Sequence, residues 1–547
     1  MIEFEHPTLL LLSILFAPIL IGYAEIHFRI PGIPGRLFKK APEIIFDLPH
    51  RAQNDAAIPL FLFIKDAHRF PVELLELEVD ICLPNQKKSL KTWRINLNQS
   101  VREKFFSRVF LMPPDHFSLG KHTLIATLTY RVGAKTYRLR QDNYSHIPHH
   151  PFSIYIADEP LPSLPGLQWG DLHIHSNYTD DAVEFGAPIR ETALCARVLG
   201  LDFIAITDHS FDLDNDPDDY FKKDPQLRKW QHFQREIKQL NEEFHDVTIL
   251  PGEEVSTGNS RGQNVHCLLI GNRNFYPGCG DSGDKIFNHR PTTMLPELIK
   301  NVRQNEQNAL IIAAHPFDEP PFSNRIILNR GRWHPKDLQR KALDFWQILN
   351  GRVDKYFHKG LAAWKKSLLA GNKTGIISGT DAHGNFNCFR QIKTPFFKMI
   401  YHREQLLGQT RSGVFSEKPL THANLTDILR KKRVIISNGP AAALTVLQTD
   451  QKKNIGDTIK SNTHFQIDLA AASSKEFGYL HKIKLITGDF HSGKEIVREI
   501  NPGYQAFHFG DVICFEDGLK SGYIRLKVQT TKNQRQNFCL TNPIWIE

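Results

Sequence analysis

The sequence predicts an α/β chain in which repeated strand–helix units build a parallel sheet or barrel between two β-rich, sandwich-like domains. Three observations predict this. Between about 168 and 437, short apolar runs alternate with stretches long enough for helices. Before that region, apolar residues alternate with period two, as in Leu75-Glu76-Leu77-Glu78-Val79-Asp80-Ile81. After it, β-type runs return at Phe465 to Leu469, Ile483 to Ile486 and Tyr523 to Val528. A chain of 547 residues also exceeds what one ordinary core accommodates. The division is an apolar segment 7–25, a β-rich domain 42–160, an α/β domain 166–437 and a β-rich domain 438–547.

Taken in order, Pro7 to Ala24 carries no charge. At 1.5 Å per residue it spans about 27 Å, near the thickness of a hydrocarbon core. It reads as a transmembrane anchor. Glu3 and Glu5 precede it, while Arg29, Arg36, Lys39 and Lys40 follow, which places the rest of the chain in the cytoplasm. The alternative is an exported chain with a signal peptide cleaved near Gly22-Tyr23-Ala24, although the basic leading region is missing. Ile30-Pro31-Gly32-Ile33-Pro34-Gly35 is a turn-rich linker. The 42–160 domain contains no chemical constellation. His146, His149 and His150 sit beside prolines and read as linker. Leu161-Pro162-Ser163-Leu164-Pro165-Gly166 marks the next boundary.

In the α/β region the strand candidates are Phe203 to Ile206, Val247 to Leu250, Val265 to Ile270, Leu310 to Ala314, Phe345 to Leu349 and Gly375 to Ile377. Ile189 to Leu199, Leu227 to Phe244, Leu295 to Asn305 and Lys355 to Leu369 are the helices between them. The net charge of +9 favours anionic partners, such as phosphate esters or membrane surfaces, without the dense Lys/Arg pattern of a nucleic-acid binder. Seven widely spaced cysteines without a CxxC argue against a disulfide framework.

The chemistry concentrates at strand ends. In Asp171-Leu172-His173-Ile174-His175-Ser176 two histidines stand two residues apart, so on a strand both imidazoles face one side and can reach one metal ion. Asp180 follows. Phe203 to Ile206 ends in Thr207-Asp208-His209, and Leu250-Pro251-Gly252 leads into Glu253 and Glu254. Val265-His266 opens a strand, Ala314-His315-Pro316 closes one, and Gly379-Thr380-Asp381-Ala382-His383 ends the last. Imidazole and carboxylate donors suit Zn, Mn or Fe. Read singly, His315 is also compatible with a strand-end histidine satisfied by hydrogen bonds, and Glu253 competes with Glu254. Asp171 and Asp208 read as carboxylates that orient the imidazoles. Arg325, Arg330, Arg332 and Arg390 lie in loops where they could meet a substrate phosphate or simply face solvent.

This order of motifs, HxHS…D, TDH, GxE, HP and DxH, resembles the PHP (polymerase and histidinol phosphatase) family. Val434-Ile435-Ile436-Ser437-Asn438-Gly439-Pro440 and Thr541-Asn542-Pro543-Ile544 resemble its carbaryl-hydrolase-type branch. The resemblance implies a distorted (β/α)7 TIM-like barrel with two or three divalent ions. His173, His175, Glu254 and Asp381 would hold one ion, Glu254 would bridge to a second held by His266 and His315, and Asp180, His209 and His383 would hold a third. Glu254 is preferred over Glu253 because Val255-Ser256 matches the family's residues after its Glu. The implied activity is hydrolysis of a small phosphate ester by a metal-bridging hydroxide, with Glu254, Asp381 and His315 at the reacting centre. The alternatives are hydrolysis of a carbamate, ester or amide and a non-catalytic scaffold.

Overall fold

The computed structural model describes residues 41–547, apart from 85, 87–88, 144–148, 180–185, 220–221, 283–288, 394–397 and 533–534. The N-terminal strands form two sheets. Ile58–Lys65 lies between Glu43–Asp47 and Phe105–Met112, and a six-stranded sheet is centred on Val72–Cys82 and Gly120–Val132. Strand alternation assigns the faces of Ile58–Lys65. Leu60, Leu62 and Ile64 pack into the core between the two sheets, while Phe61 and Phe63 point the other way into the central core. There the Phe61 and Phe386 ring centroids are 5.1 Å apart.

The central strands form one hydrogen-bonded path. It runs Gly375–Gly379, Phe345–Asn350, Leu310–Ala313, Asn264–Ile270, Thr248–Gly258, Phe203–Ile206 and Leu167–His175. The helices Ile189–Leu199, Arg228–Glu243, Leu295–Asn305 and Lys355–Leu369 fall where the periodicity put them.

The expected (β/α)7 TIM-like barrel is corrected on two counts. First, Asn264–Ile270 is antiparallel to both Thr248–Gly258 and Leu310–Ala313, so a hairpin stands where a parallel crossover was expected. Second, the main path is not a closed ring of strands: its end at Gly375–Gly379 is not paired with Leu167–His175, which only the two-residue strand Ala382–His383 reaches. Gly375–Gly379 is an end of the ladder, and beyond Leu167–His175 the path continues antiparallel through Arg411–Phe415 and Val434–Ser437. From Val434–Ser437 it passes to Arg535–Thr541 and on through Gly522–Lys532, making a 16-stranded sheet. The described residues are mostly β, with 43% strand and 17% helix. The physical reason is that an apolar run buried on both faces reads alike whether its neighbour is parallel or antiparallel.

Asn542 stitches the C-terminal strands to the centre. Its Nδ2 donates to the carbonyls of Ile376 and Val434, and its Oδ1 accepts from Ile376 N at 2.8 Å. A four-stranded sheet containing Ala441–Gln448 and Phe465–Ala472 adds the remaining C-terminal layer. Among the described residues no helix is long and apolar enough to cross a membrane. This corrects the expected membrane partner and anchored cytoplasmic location, which no described element provides. The apolar segment 7–25 itself lies outside the described residues.

Candidate metal centre

Strand parity and strand ends together assemble the centre. His173 and His175 close Leu167–His175 on one face, their Nε2 atoms 3.1 Å apart and both side chains fully buried. Glu254 lies within Thr248–Gly258. Because neighbours on a strand face opposite ways, Glu254 points at the imidazoles while Glu253 points behind the sheet. There Glu253 accepts from Asn272 Nδ2 at 2.7 Å and from Tyr276 N at 3.0 Å, and burial raises its carboxyl well above the usual range. The competition between the two glutamates is decided by this alternation.

Ala382–His383 pairs with the end of Leu167–His175, placing His383 beside His175, with their rings stacked at 4.0 Å. The approach requires Gly379, because a Cβ there would lie 2.5 Å from His173 Cβ. His315 and Asp381 follow strand ends with φ of 26° and 55°, a left-handed backbone that non-glycine residues adopt at a cost of about 1–3 kcal/mol.

Glu254 is the hub. Its carboxylate oxygens lie 2.8 Å from His266 Nδ1, 3.0 Å from His209 Nδ1, 3.2 Å from His315 Nε2, 3.3 Å from His175 Nε2 and 3.5 Å from His173 Nε2. Asp381 Oδ1 lies 3.4 Å from His173 Nε2 and 3.3 Å from His175 Nε2. Three sets of side chains have ligand atoms within 4.8 Å of one another. They are His173, His175, Glu254 and Asp381; His209, Glu254 and His266; and His175, His209 and His383. The first set is the four-ligand set that the resemblance implied. Asp180 lies outside the described residues.

Burial opposes a charge on His173 and His175, yet the carboxylates of Asp381 and Glu254 raise both to about 9. Glu254 and Asp381 would rise on burial, but the surrounding imidazoles hold both well below the carboxylate range. Burial lowers His209 to about 3.

Hydrogen bonds fix the imidazole tautomers. Gln347 Oε1 lies 2.9 Å from His173 Nδ1 and can only accept, so Nδ1 carries the proton and Nε2 presents a lone pair. Thr179 Oγ1 donates to Asp208 Oδ1 at 2.8 Å and therefore accepts from His175 Nδ1 at 3.2 Å, which leaves His175 Nε2 bare as well. With both rings neutral, two lone pairs and two carboxylates thus converge on one point; without a cation, added protons on the imidazoles relieve the repulsion, and both are accordingly raised to about 9. His209 Nδ1 is buried and makes no hydrogen bond among the described residues, although it faces Glu254 Oε2. A donor set of imidazole nitrogens and carboxylate oxygens with surplus lone pairs fits borderline divalent cations.

Asp208 reaches His175 only through Thr179, and it also clamps the amide groups of Ser176 and Thr179. Asp171 accepts from Thr380 N at 3.0 Å, Thr380 Oγ1 at 2.5 Å and Gly408 N at 3.1 Å. It thereby fixes the turn that presents Asp381, and burial raises it to about 6. Arg325 and Arg332 approach Glu319, at 3.8 and 2.7 Å. Arg390 belongs to the strand Phe389–Lys393.

Sequence reasoning missed two supporting groups and left a third undecided. Gln347 was signalled by being the one polar residue in Phe345 to Leu349. Asp281 gave no signal. Its Oδ2 accepts from His266 Nε2 at 2.9 Å and from Arg330 Nε at 2.6 Å, which makes Arg330 the inward-facing arginine of the loop. A pocket of about 310 Å³ opens onto His209, Glu254, His266, His315, Asp381 and His383.

No family model matches the chain, and no curated protein matches it. Among solved structures, a calcium-binding mutant of Bacteroides uniformis β-glucuronidase 2 shares 10% identity at a TM-score of 0.19, over 92% of this chain and 61% of that one. The Parabacteroides merdae β-glucuronidase gives 9% and 0.17 over 92% and 64%. An Escherichia coli α-2-macroglobulin fragment gives 9% and 0.16 over 92% and 99%. Scores this low carry no argument about fold or activity.

Proposed function

We propose that the chain is a metal-dependent hydrolase of small phosphate esters, related to the PHP family by its order of ligand motifs. One observation carries the reading. The Nε2 lone pairs of His173 and His175 meet Glu254 and Asp381 at a single buried point, where only a cation or added protons can relieve the repulsion. His173, His175, Glu254 and Asp381 would hold one ion, and Glu254 would be shared with a second set drawn from His209, His266 and His315. A divalent cation supplies Lewis acidity and a water acidic enough to attack at neutral pH.

The chain's own residues do the rest. Glu254, with its side chain 1% exposed, stays ionised because imidazoles surround it. His315, with its side chain 20% exposed, stands at the pocket side of the cluster beside Asp381, where it can exchange a proton with a bound ester or water. Gln347 and the Asp208–Thr179 relay keep the two key imidazoles in the tautomer that offers Nε2.

The test is to purify the protein, measure bound metal, and assay phosphomonoesters, phosphodiesters, carboxyl esters and carbamates with added Mn. Stoichiometric metal with turnover of phosphate esters is expected. Turnover confined to carboxyl esters or carbamates selects the carbaryl-hydrolase-type alternative. A protein that takes up no divalent metal and cleaves none of the substrates overturns the reading.

A further inference from the structure

Beside the catalytic pocket lies a second cavity of about 520 Å³. The two share Pro316, Pro320, Arg330, Gly331, Arg332 and Trp333 as a common wall. Arg261, Arg325, Arg330, Arg332 and Lys359 line the second cavity, and among the described residues no carboxylate does. Glu319, on the catalytic side, lies 2.7 Å from Arg332, 3.8 Å from Arg325 and 4.0 Å from Lys359. Asp281 holds Arg330 at 2.6 Å. Among the described residues Glu319 thus faces Arg325, Arg332 and Lys359 together, and Arg261 adds a further cation, so the lining keeps a positive excess. The Arg325, Arg332 and Lys359 side chains are each about half exposed, which leaves their charged ends able to move to a ligand. Phe317, Trp333 and Leu338 give the same cavity an apolar surface.

Such a lining matches one kind of group: an apolar body that ends in a negative charge. The pocket beside it already suits a small ester at the metal centre. We infer that the second cavity is a subsite for the leaving-group side of a substrate that carries a second anion, such as a carboxylate or phosphate, beyond an apolar spacer. This rests on the hydrolase reading for its reacting end, but the subsite itself is defined by Arg261, Arg325, Arg332 and Lys359.

The experiment compares benzylphosphonate with analogues bearing a para-carboxylate on arms of increasing length. Binding to the metal-loaded protein is measured calorimetrically, and hydrolysis of the matching aryl phosphates is followed alongside. One analogue of the series should bind about tenfold more tightly than benzylphosphonate, a difference of about 1.4 kcal/mol. In Arg261→Glu, Lys359→Glu protein that advantage should fall below about twofold, with the neutral Arg261→Gln, Lys359→Gln protein in between. The subsite is overturned if no analogue shows an advantage in the unmodified protein, or if the advantage survives charge reversal. If the charge-dependent advantage is present while no ester is cleaved, the subsite stands and the hydrolase reading falls.

Discussion

Two of the buried charge clusters among the described residues solve the burial problem in opposite ways. In the C-terminal strands, Glu495 accepts from Arg525 Nη2 at 2.7 Å, Arg525 Nε at 3.0 Å and Tyr523 Oη at 2.7 Å, and Lys365 Nζ lies 3.0 Å away. The Arg525 guanidinium also sits 5.5 Å over the Trp364 ring. Every acceptor there meets a donor, so nothing further is needed. Around Glu254 the neutral imidazoles would meet carboxylates acceptor to acceptor, since His173 Nε2 faces His175 Nε2 and both face carboxylates, so the cluster needs added protons or a cation. A closed network reads as structure, whereas an open one with excess lone pairs reads as a place for a cation.

The strongest way to break this comparison is to neutralise the two hubs. Glu254→Gln should lose bound metal and lower turnover by at least about 10³-fold, because it removes the negative charge and one of the two oxygens shared by five imidazoles. Metal analysis and kcat/KM check this, and full metal with near-normal turnover would show that Glu254 is not a ligand. Arg525→Met should do the reverse. It takes two of the donors and the buried cation from Glu495, leaving Tyr523 and Lys365, and should cost about 3 kcal/mol of stability, read as a lower midpoint in urea, while metal content stays at the unmodified level.

A smaller effect separates ligand from support. Gln347→Leu removes the acceptor that holds the proton on His173 Nδ1, and with it the carbonyl contact to His315 N at 3.3 Å. Metal affinity should fall about 10- to 100-fold without loss of fold. Competition against a fluorescent chelator measures it, and an unchanged affinity would assign Gln347 to packing alone.

The contrast between the clusters also marks what the sequence could show. The ligand histidines were legible because strand parity fixes which side chains share a face, and because they close apolar runs at His175, His209, His315 and His383. The choice between Glu253 and Glu254 needs to know which face is inside, which parity alone does not state. Strand direction was not legible either. The run Val265 to Ile270 is buried throughout and would look the same as a parallel strand, so the hairpin and the open 16-stranded path emerge only from tertiary pairing. Asp281 arrives from a loop outside any periodic pattern. The Arg525–Glu495 pair joins residues 30 apart across the strand between them, with no local signature at all.

Asp202 provides the control between the two kinds of cluster, a largely buried carboxylate that has no ion pair among the described residues. Its Oδ2 accepts from Trp169 N at 2.7 Å, and burial raises it to about 6 from an ordinary 3.8. Between those values the folded chain binds a proton that the unfolded chain has released. This group's contribution therefore makes the fold less stable as pH rises from about 4 to 6, and the loss persists above 6. Asp202→Asn keeps the acceptor and removes the charge. At pH 8 it should stabilise the protein by on the order of 1 kcal/mol, and near pH 4 the difference from the unmodified chain should vanish. Urea midpoints at the two pH values test the sign. A variant that destabilises equally at both would mean that the Asp202 carboxylate is held by more than its one backbone donor, and that a lone buried charge in this sheet costs less than the contrast between the clusters requires.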